Sequence, residues 1–245
     1  MGFKVMAKIH LWGLLVMFSV FASAHDHGSS LDFHNTVSAY ESGAMTSDEC
    51  HMRTHELGKE AAGEGQDIPK DALKCRAGFY HGYYSVYKNC SGLSGYRKDN
   101  CWHGVGHGLV EQFGAAGIVS CSNPQCATGA YMQFFEKSNL TSCNGMPFRE
   151  QCELYIGIVF LRNYDSTYAL EKCSSKQCME GIGVFLARRN NYVSEAVLKS
   201  CSKNVDCING AASEFGTNSL NVPAFCRQNL GCVYSFYYGK LFKIL

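Results

Sequence analysis

Eight of the fourteen cysteines fall on a nearly regular ruler. Cys50, Cys75, Cys101, Cys126, Cys152, Cys178, Cys207 and Cys232 are separated by 25, 26, 25, 26, 26, 29 and 25 residues. A period of this length means one supersecondary unit copied along the chain, each copy hiding its apolar side against its neighbours. Counting from each cysteine, the third position is Gly78, Gly104, Gly129, Gly181 or Gly210 in five units. The fourth is apolar in seven, from Phe79 and Val105 to Ala211 and Phe236. The eighth is large and apolar in six: Tyr83, Leu109, Phe134, Phe160, Leu186 and Phe215. A spacing of four marks one face of a helix rather than a strand.

Shorter helical stretches follow in several units, such as "STYALEKC" ending at Cys173 and "SEAVLKSC" ending at Cys201. The expected fold is therefore all-α. Helical αα hairpins with a period of about 26 residues, each stapled by disulfides, would stack as an α-solenoid. The units cannot bury their faces alone, so residues 47–245 are expected to form one domain. Residues 25–46, rich in Ser, His and Asp, read as a flexible lead-in.

The stretch "CWHGVGHGL" at 101–109 shows what the glycines do in this scheme. Glycine inside a helix costs about 1 kcal/mol against alanine. The cost is offset where a missing side chain lets another helix come close. Gly104 and Gly108, like Gly78 and Gly82, stand one turn apart and would form a smooth strip.

The remaining cysteines are Cys90, Cys121, Cys143, Cys173, Cys201 and Cys226. Joining the two ends of each hairpin would strand Cys50 and Cys232. Sequential pairing (50–75, 90–101, 121–126, 143–152, 173–178, 201–207, 226–232) leaves none over and is the expected scheme. Each short bridge would then contribute roughly 2 kcal/mol on chain-entropy grounds.

The compartment follows from the same residues. Lys4 and Lys8, the apolar run "LWGLLVMFSVF" and Ala22-Ser23-Ala24 have the form of a signal peptide at residues 1–24. An even number of cysteines in an exported chain reads as a disulfide framework, so a secreted or periplasmic, extracytoplasmic protein is expected. No later segment is long and apolar enough for a stable membrane span after signal cleavage. Losing Lys4 and Lys8 turns 22 basic against 21 acidic residues into 20 against 21. That balance offers no footprint for nucleic acid.

The histidines break the template. None lies beyond residue 107, and five fall on three consecutive starting helices: His51 and His55, then His81, then His103 and His107. At ~100° per residue, the second and sixth positions lie roughly 160–200° from the fourth, so His103 and His107 face away from the apolar stripe. His81 has the same angular position on the preceding unit, and Glu111 continues the row one turn on. Packed helices lie ~8–10 Å apart, so these rings could converge on one ion. The pair His51 and His55 is offset by one residue in register. Five neutral nitrogens with a carboxylate suit zinc, copper or iron. Non-covalent heme between two histidines is a weaker expectation. His103 and His107 rank first as ligands, then His81, then His55 and His51, with Glu111 as the carboxylate.

Other motifs fail. "HELGK" at 55–59 begins like a zinc-protease pattern, but Lys59 replaces the second ligand. Neither a Cys-x-x-Cys-His heme attachment nor a Gly-x-Ser-x-Gly nucleophile elbow occurs. Signal cleavage would expose His25-Asp26-His27, whose terminal amine, amides and imidazole can enclose Cu(II). The cystine-stapled αα repeat resembles the architecture of exported cysteine-rich Sel1-like repeat proteins. Their period is longer and their motif is not evident here, so the resemblance implies an α-solenoid and transfers no residue roles.

Three functions fit these features. The first is a histidine-centred metal or heme protein. The second is a non-catalytic scaffold that binds another protein through its solenoid surface. The third is a metal-dependent hydrolase, which needs a coordination position open to substrate.

Overall fold

The computed structural model describes residues 28–218 and 221–244; the signal segment and His25-Asp26-His27 lie outside them. The described residues form twelve α-helices and no strand. Eight long helices carry the ruler cysteines: α2 (Ser47–Gly63), α3 (Lys74–Tyr87), α4 (Gly95–Phe113), α6 (Pro124–Lys137), α7 (Arg149–Asn163), α9 (Lys176–Arg189), α11 (Val205–Asn218) and α12 (Leu230–Ile244). Between them lie the short α5 (Ala116–Val119), α8 (Ser166–Lys172) and α10 (Ser194–Ser200), while α1 (Gly28–Glu41) precedes the set.

Part of the segment expected as a flexible lead-in is thus helical. Phe33 and Val37 are buried, and Phe33 meets the Phe79 ring edge-on at 5.1 Å. Second helices are fewer than the hairpin reading expects. Gly65 and Pro69, then Gly92, then Gly145 and Pro147 interrupt the corresponding stretches, the three glycines at positive φ, and those chains run as turns.

All seven sequential disulfides are present. Six of them join the end of one unit to the next long helix, while Cys50–Cys75 joins the first turns of α2 and α3. Several of those starts share a cap that the period of 26 does not reveal. Asn123, Ser175, Asn204 and Asn229 each stand three residues before a ruler cysteine and accept a hydrogen bond from its N–H. Such a cap contributes about 1 kcal/mol. It fixes where the helix begins, and so where the cystine sits.

Each long helix packs on the next in the order α2, α3, α4, α6, α7, α9, α11, α12, and α12 also touches α4. Apart from α6 on α7, the contacts are backbone to backbone at glycine. A Cβ on Gly82 would overlap the His55 carbonyl, and one on Gly108 the Ser85 carbonyl. The same overlap would occur between Gly129 and His103, Gly181 and Leu154, and Gly210 and Glu180. The glycines are packing positions, as their spacing suggests. The row of helices curls, and its inner side faces a cavity of about 680 Å³. Positions two and six of the units, which the apolar template leaves free, line it through His103, Thr128, Leu154, His81, Met132 and Val184.

Candidate metal centre

The sequence places His51 and His55 on α2, His81 on α3, and His103 and His107 on α4. The glycine contacts bring these three helices so close that their inward side chains meet in front of α3. Ring centroids lie 4.3 Å apart for His81 and His103, 4.9 Å for His103 and His107, and 6.0 Å for His81 and His107. His51 reaches His81 at 5.4 Å, and His55 reaches His107 at 5.3 Å. All five imidazoles form one group. One nitrogen from each of His81, His103 and His107 lies within 4.8 Å of the others.

The opposite ring nitrogens settle which atoms are free. His81 Nε2 donates to Asn100 Oδ1 at 2.7 Å, and the Asn100 amide is oriented by donating its own N–H to the Tyr96 carbonyl. His107 Nδ1 donates to Gln133 Oε1 at 3.0 Å, while the Gln133 N–H goes to Glu136. His55 Nδ1 faces the Glu56 carboxylate, and His51 Nδ1 the Cys75 carbonyl, both at 3.3 Å. Every one of these partners accepts, so the histidine nitrogen toward it carries the proton. The second nitrogen of a neutral ring must then hold a lone pair. At His81 Nδ1, His55 Nε2 and His107 Nε2 that lone pair is shielded from solvent and has no partner; His103 Nε2 is likewise shielded and unpartnered.

Burial keeps the rings neutral. It pushes His51, His81 and His103 well below the ordinary histidine range, and the neighbouring imidazoles add to the effect. His107 is pushed down to about 3 by burial and by His55, against a weaker upward pull from Gln133. His55 is lowered by burial and by Lys59, although Glu56 opposes the shift. Neutral imidazole is the form that ligates a metal.

Glu111 is not brought to the rings as a free carboxylate. Its Oε1 accepts from Lys59 Nζ at 2.6 Å, and Lys59 also lies 3.5 Å from Glu56. Glu111 shares only a small cavity of about 70 Å³ with His55 and His107. Lys59, the residue that spoils the protease-like motif, thus neutralises the carboxylate the same row offers.

On the far wall of the large cavity lies a polar cluster that sequence reasoning missed. Arg188 Nε and an Arg188 terminal nitrogen donate to the two Glu214 oxygens at 2.9 and 3.1 Å, and the Tyr192 hydroxyl adds a bond at 3.3 Å. Burial pushes the Glu214 carboxyl up, but Arg188 and Arg76 outweigh it and hold the group below its ordinary value. Arg188 and Glu214 occur once each in separate units, so no repeat or spacing announces their meeting. Arg76 reaches the same cavity from a left-handed turn at Cys75-Arg76-Ala77, with φ of 53°, 56° and 58°.

No protein-family model, curated protein or solved structure matches the chain. The chemistry is therefore read from these residues alone. They form a cysteine-rich, disulfide-rich helical protein with a histidine triad that can hold a metal ion. Seven disulfides fit an extracytoplasmic protein, and no helix among the described residues is long and apolar enough to cross a membrane.

Proposed function

We propose that the chain is an exported, cystine-stapled helical-repeat protein that binds one divalent transition-metal ion, zinc first among them, through His81, His103 and His107. His55 and His51 stand beside the triad as supporting rings. One observation carries the reading: His81, His103 and His107 each bring a nitrogen within 4.8 Å of the others, and each has a buried nitrogen with no partner, while the opposite nitrogens of His81 and His107 point at acceptors that preset the tautomer. An unmade buried hydrogen bond costs ~1–3 kcal/mol, and four such atoms in one place are expensive unless something occupies them. Ligating histidines nearly always donate their other nitrogen to a carbonyl or carboxylate, and His81 and His107 do so to the side-chain carbonyls of Asn100 and Gln133.

Three neutral nitrogens suit zinc with a fourth position left for water or a ligand. Copper and iron share the donor preference. The test is elemental analysis of the mature, untagged protein beside a His103→Ala/His107→Ala variant. About one equivalent of metal in the first, and loss in the second with helicity retained, supports the reading. Equal sub-stoichiometric metal in both overturns it, and the scaffold reading then stands.

A further inference from the structure

The histidine triad forms a wall between two unlike spaces. On one side is the small cavity, with His107, His55 and the Glu111–Lys59 pair on its lining. At about 70 Å³ it has room for little more than water. On the other is the cavity of about 680 Å³, onto which His51, His81 and His103 open. That volume falls within the range of small-molecule sites, roughly 300–1,000 Å³.

The larger space has a polar end and an apolar floor. At the polar end, Arg76 is only 16% exposed, yet its ion partner Asp48, at 2.5 Å, is 66% exposed. Asp48 is solvated, and the buried Glu214 that also attracts Arg76 is already held by both Arg188 nitrogens, so Arg76 shares its countercharge. Burial lowers the proton affinity of Arg76 and Arg188 adds to the effect, while Glu214 and Asp48 oppose it. Arg188, by contrast, is closed off by both oxygens of Glu214. Met132, Leu154 and Val184 supply the floor.

We propose that this cavity binds a small organic anion. Its oxyanion head would take the open coordination position of the triad-bound metal and pair with Arg76, and its body would lie on Met132, Leu154 and Val184. The inference rests on the metal reading above. A three-coordinate cation and a buried guanidinium on the lining of one cavity make an anion the fitting occupant. The apolar floor distinguishes an organic anion from a bare inorganic one. Arginine suits this task because its planar fork matches the two oxygens of a carboxylate.

The experiment uses the full mature protein loaded with Co(II), whose visible absorption reports its ligands. Benzoate and inorganic phosphate are titrated separately, with benzoate expected to give a saturable spectral change. Arg76→Gln should weaken benzoate about tenfold, Arg76→Lys should fall between the two, and Val184→Phe should lose the benzoate response by filling the floor. Should the arginine variant lose its helical circular dichroism, Val184→Phe carries the test, since it removes neither a triad histidine nor a member of an ion pair. One equivalent of bound Co(II) with bands indifferent to both anions overturns the inference and leaves the metal reading intact. A response to phosphate alone overturns the organic body. Failure to bind Co(II) at all overturns both readings.

Discussion

In α2, α3 and α4, and again in α7, α9 and α11, the backbones meet in the same way. Gly78 and Gly104 lie against the His51 and His81 carbonyls just as Gly181 and Gly210 lie against those of Leu154 and Glu180. A cystine pins the start of every one of these helices. The polar groups turned inward nevertheless differ. The later helices present Arg188 and Glu214, which satisfy each other with help from Tyr192. The earlier ones present imidazoles whose inner nitrogens satisfy nothing. One scaffold therefore holds a closed polar cluster and an open one, and the open one keeps buried nitrogens without a partner.

Acid should separate the two regions most strongly. The buried imidazoles hold folded pKa values below the ordinary 6.5. Below about that pH the unfolded chain takes up protons that the folded one refuses. Stability therefore falls as pH drops through 6.5, and keeps falling toward the folded values, about 3 for His107. The slope approaches about 1.4 kcal/mol per pH unit for each such ring. Glu214 behaves otherwise: its folded pKa is depressed below 4.5, so its contribution is present above that value and is lost only at lower pH. Urea unfolding of chelator-treated protein should show a steep loss between pH 6.5 and 5. A flat profile across that window would mean that the rings are hydrated and titrate normally.

The next largest effect inverts the comparison. Glu214→Ala leaves the Arg188 guanidinium buried without its carboxylate, a change that costs about 3–5 kcal/mol. The loss should be the same with and without metal, because the pair lies on the far wall of the cavity. His103→Ala in metal-free protein removes an unpartnered nitrogen and should cost less than the Glu214 change, with the larger penalty appearing only when metal is present. Denaturant midpoints of both variants, with and without chelator, measure the crossing. If His103→Ala costs the same in both conditions, the open cluster is a packing feature.

The contrast was partly legible in the residues themselves. Cysteine spacing and the apolar positions at four and eight announced helices, and counting without remainder announced the seven pairings. The histidines stood out because Met132 and Val184 occupy the sixth position where His81 and His107 stand. Ring direction was less legible: His51 and His55 are offset by one residue from His103 and His107, yet all five meet because the helices curl. The caps three residues ahead of Cys126, Cys178, Cys207 and Cys232 were readable as Asn or Ser and were overlooked beside the stronger period. Arg188 with Glu214 could not be read, since a pair made across units leaves no local pattern. The left-handed turn that brings Arg76 to the cavity contains no glycine to signal it.

Smaller changes probe how the open cluster is held. Asn100 and Gln133 accept from one nitrogen each of His81 and His107 and would orient those rings without being ligands. Asn100→Ala or Gln133→Ala should each weaken metal about 10- to 100-fold while leaving about one equivalent bound at saturation. Competition against a chromophoric chelator measures the change. No shift in either variant would mean that the tautomers are set elsewhere.

Glu111→Gln should have the smallest effect, and it is the substitution on which sequence and structure disagree. Helical spacing puts Glu111 in line with His103 and His107, where a carboxylate ligand would be welcome. The fold gives that carboxylate to Lys59, on a helix that reaches α4 only because both curl around α3. A ligand lost from a set of four would lower affinity by orders of magnitude. A partly exposed ion pair, by contrast, contributes about 0–1 kcal/mol. Zinc affinity of Glu111→Gln should therefore stay within about threefold of the parent chain, with stability barely altered. Lys59→Met sharpens the point by releasing the carboxylate while leaving every histidine in place. If that variant binds zinc more tightly and the gain disappears when Glu111→Gln is added, the row reads as the spacing suggests, and the lysine is what keeps the site to nitrogen donors.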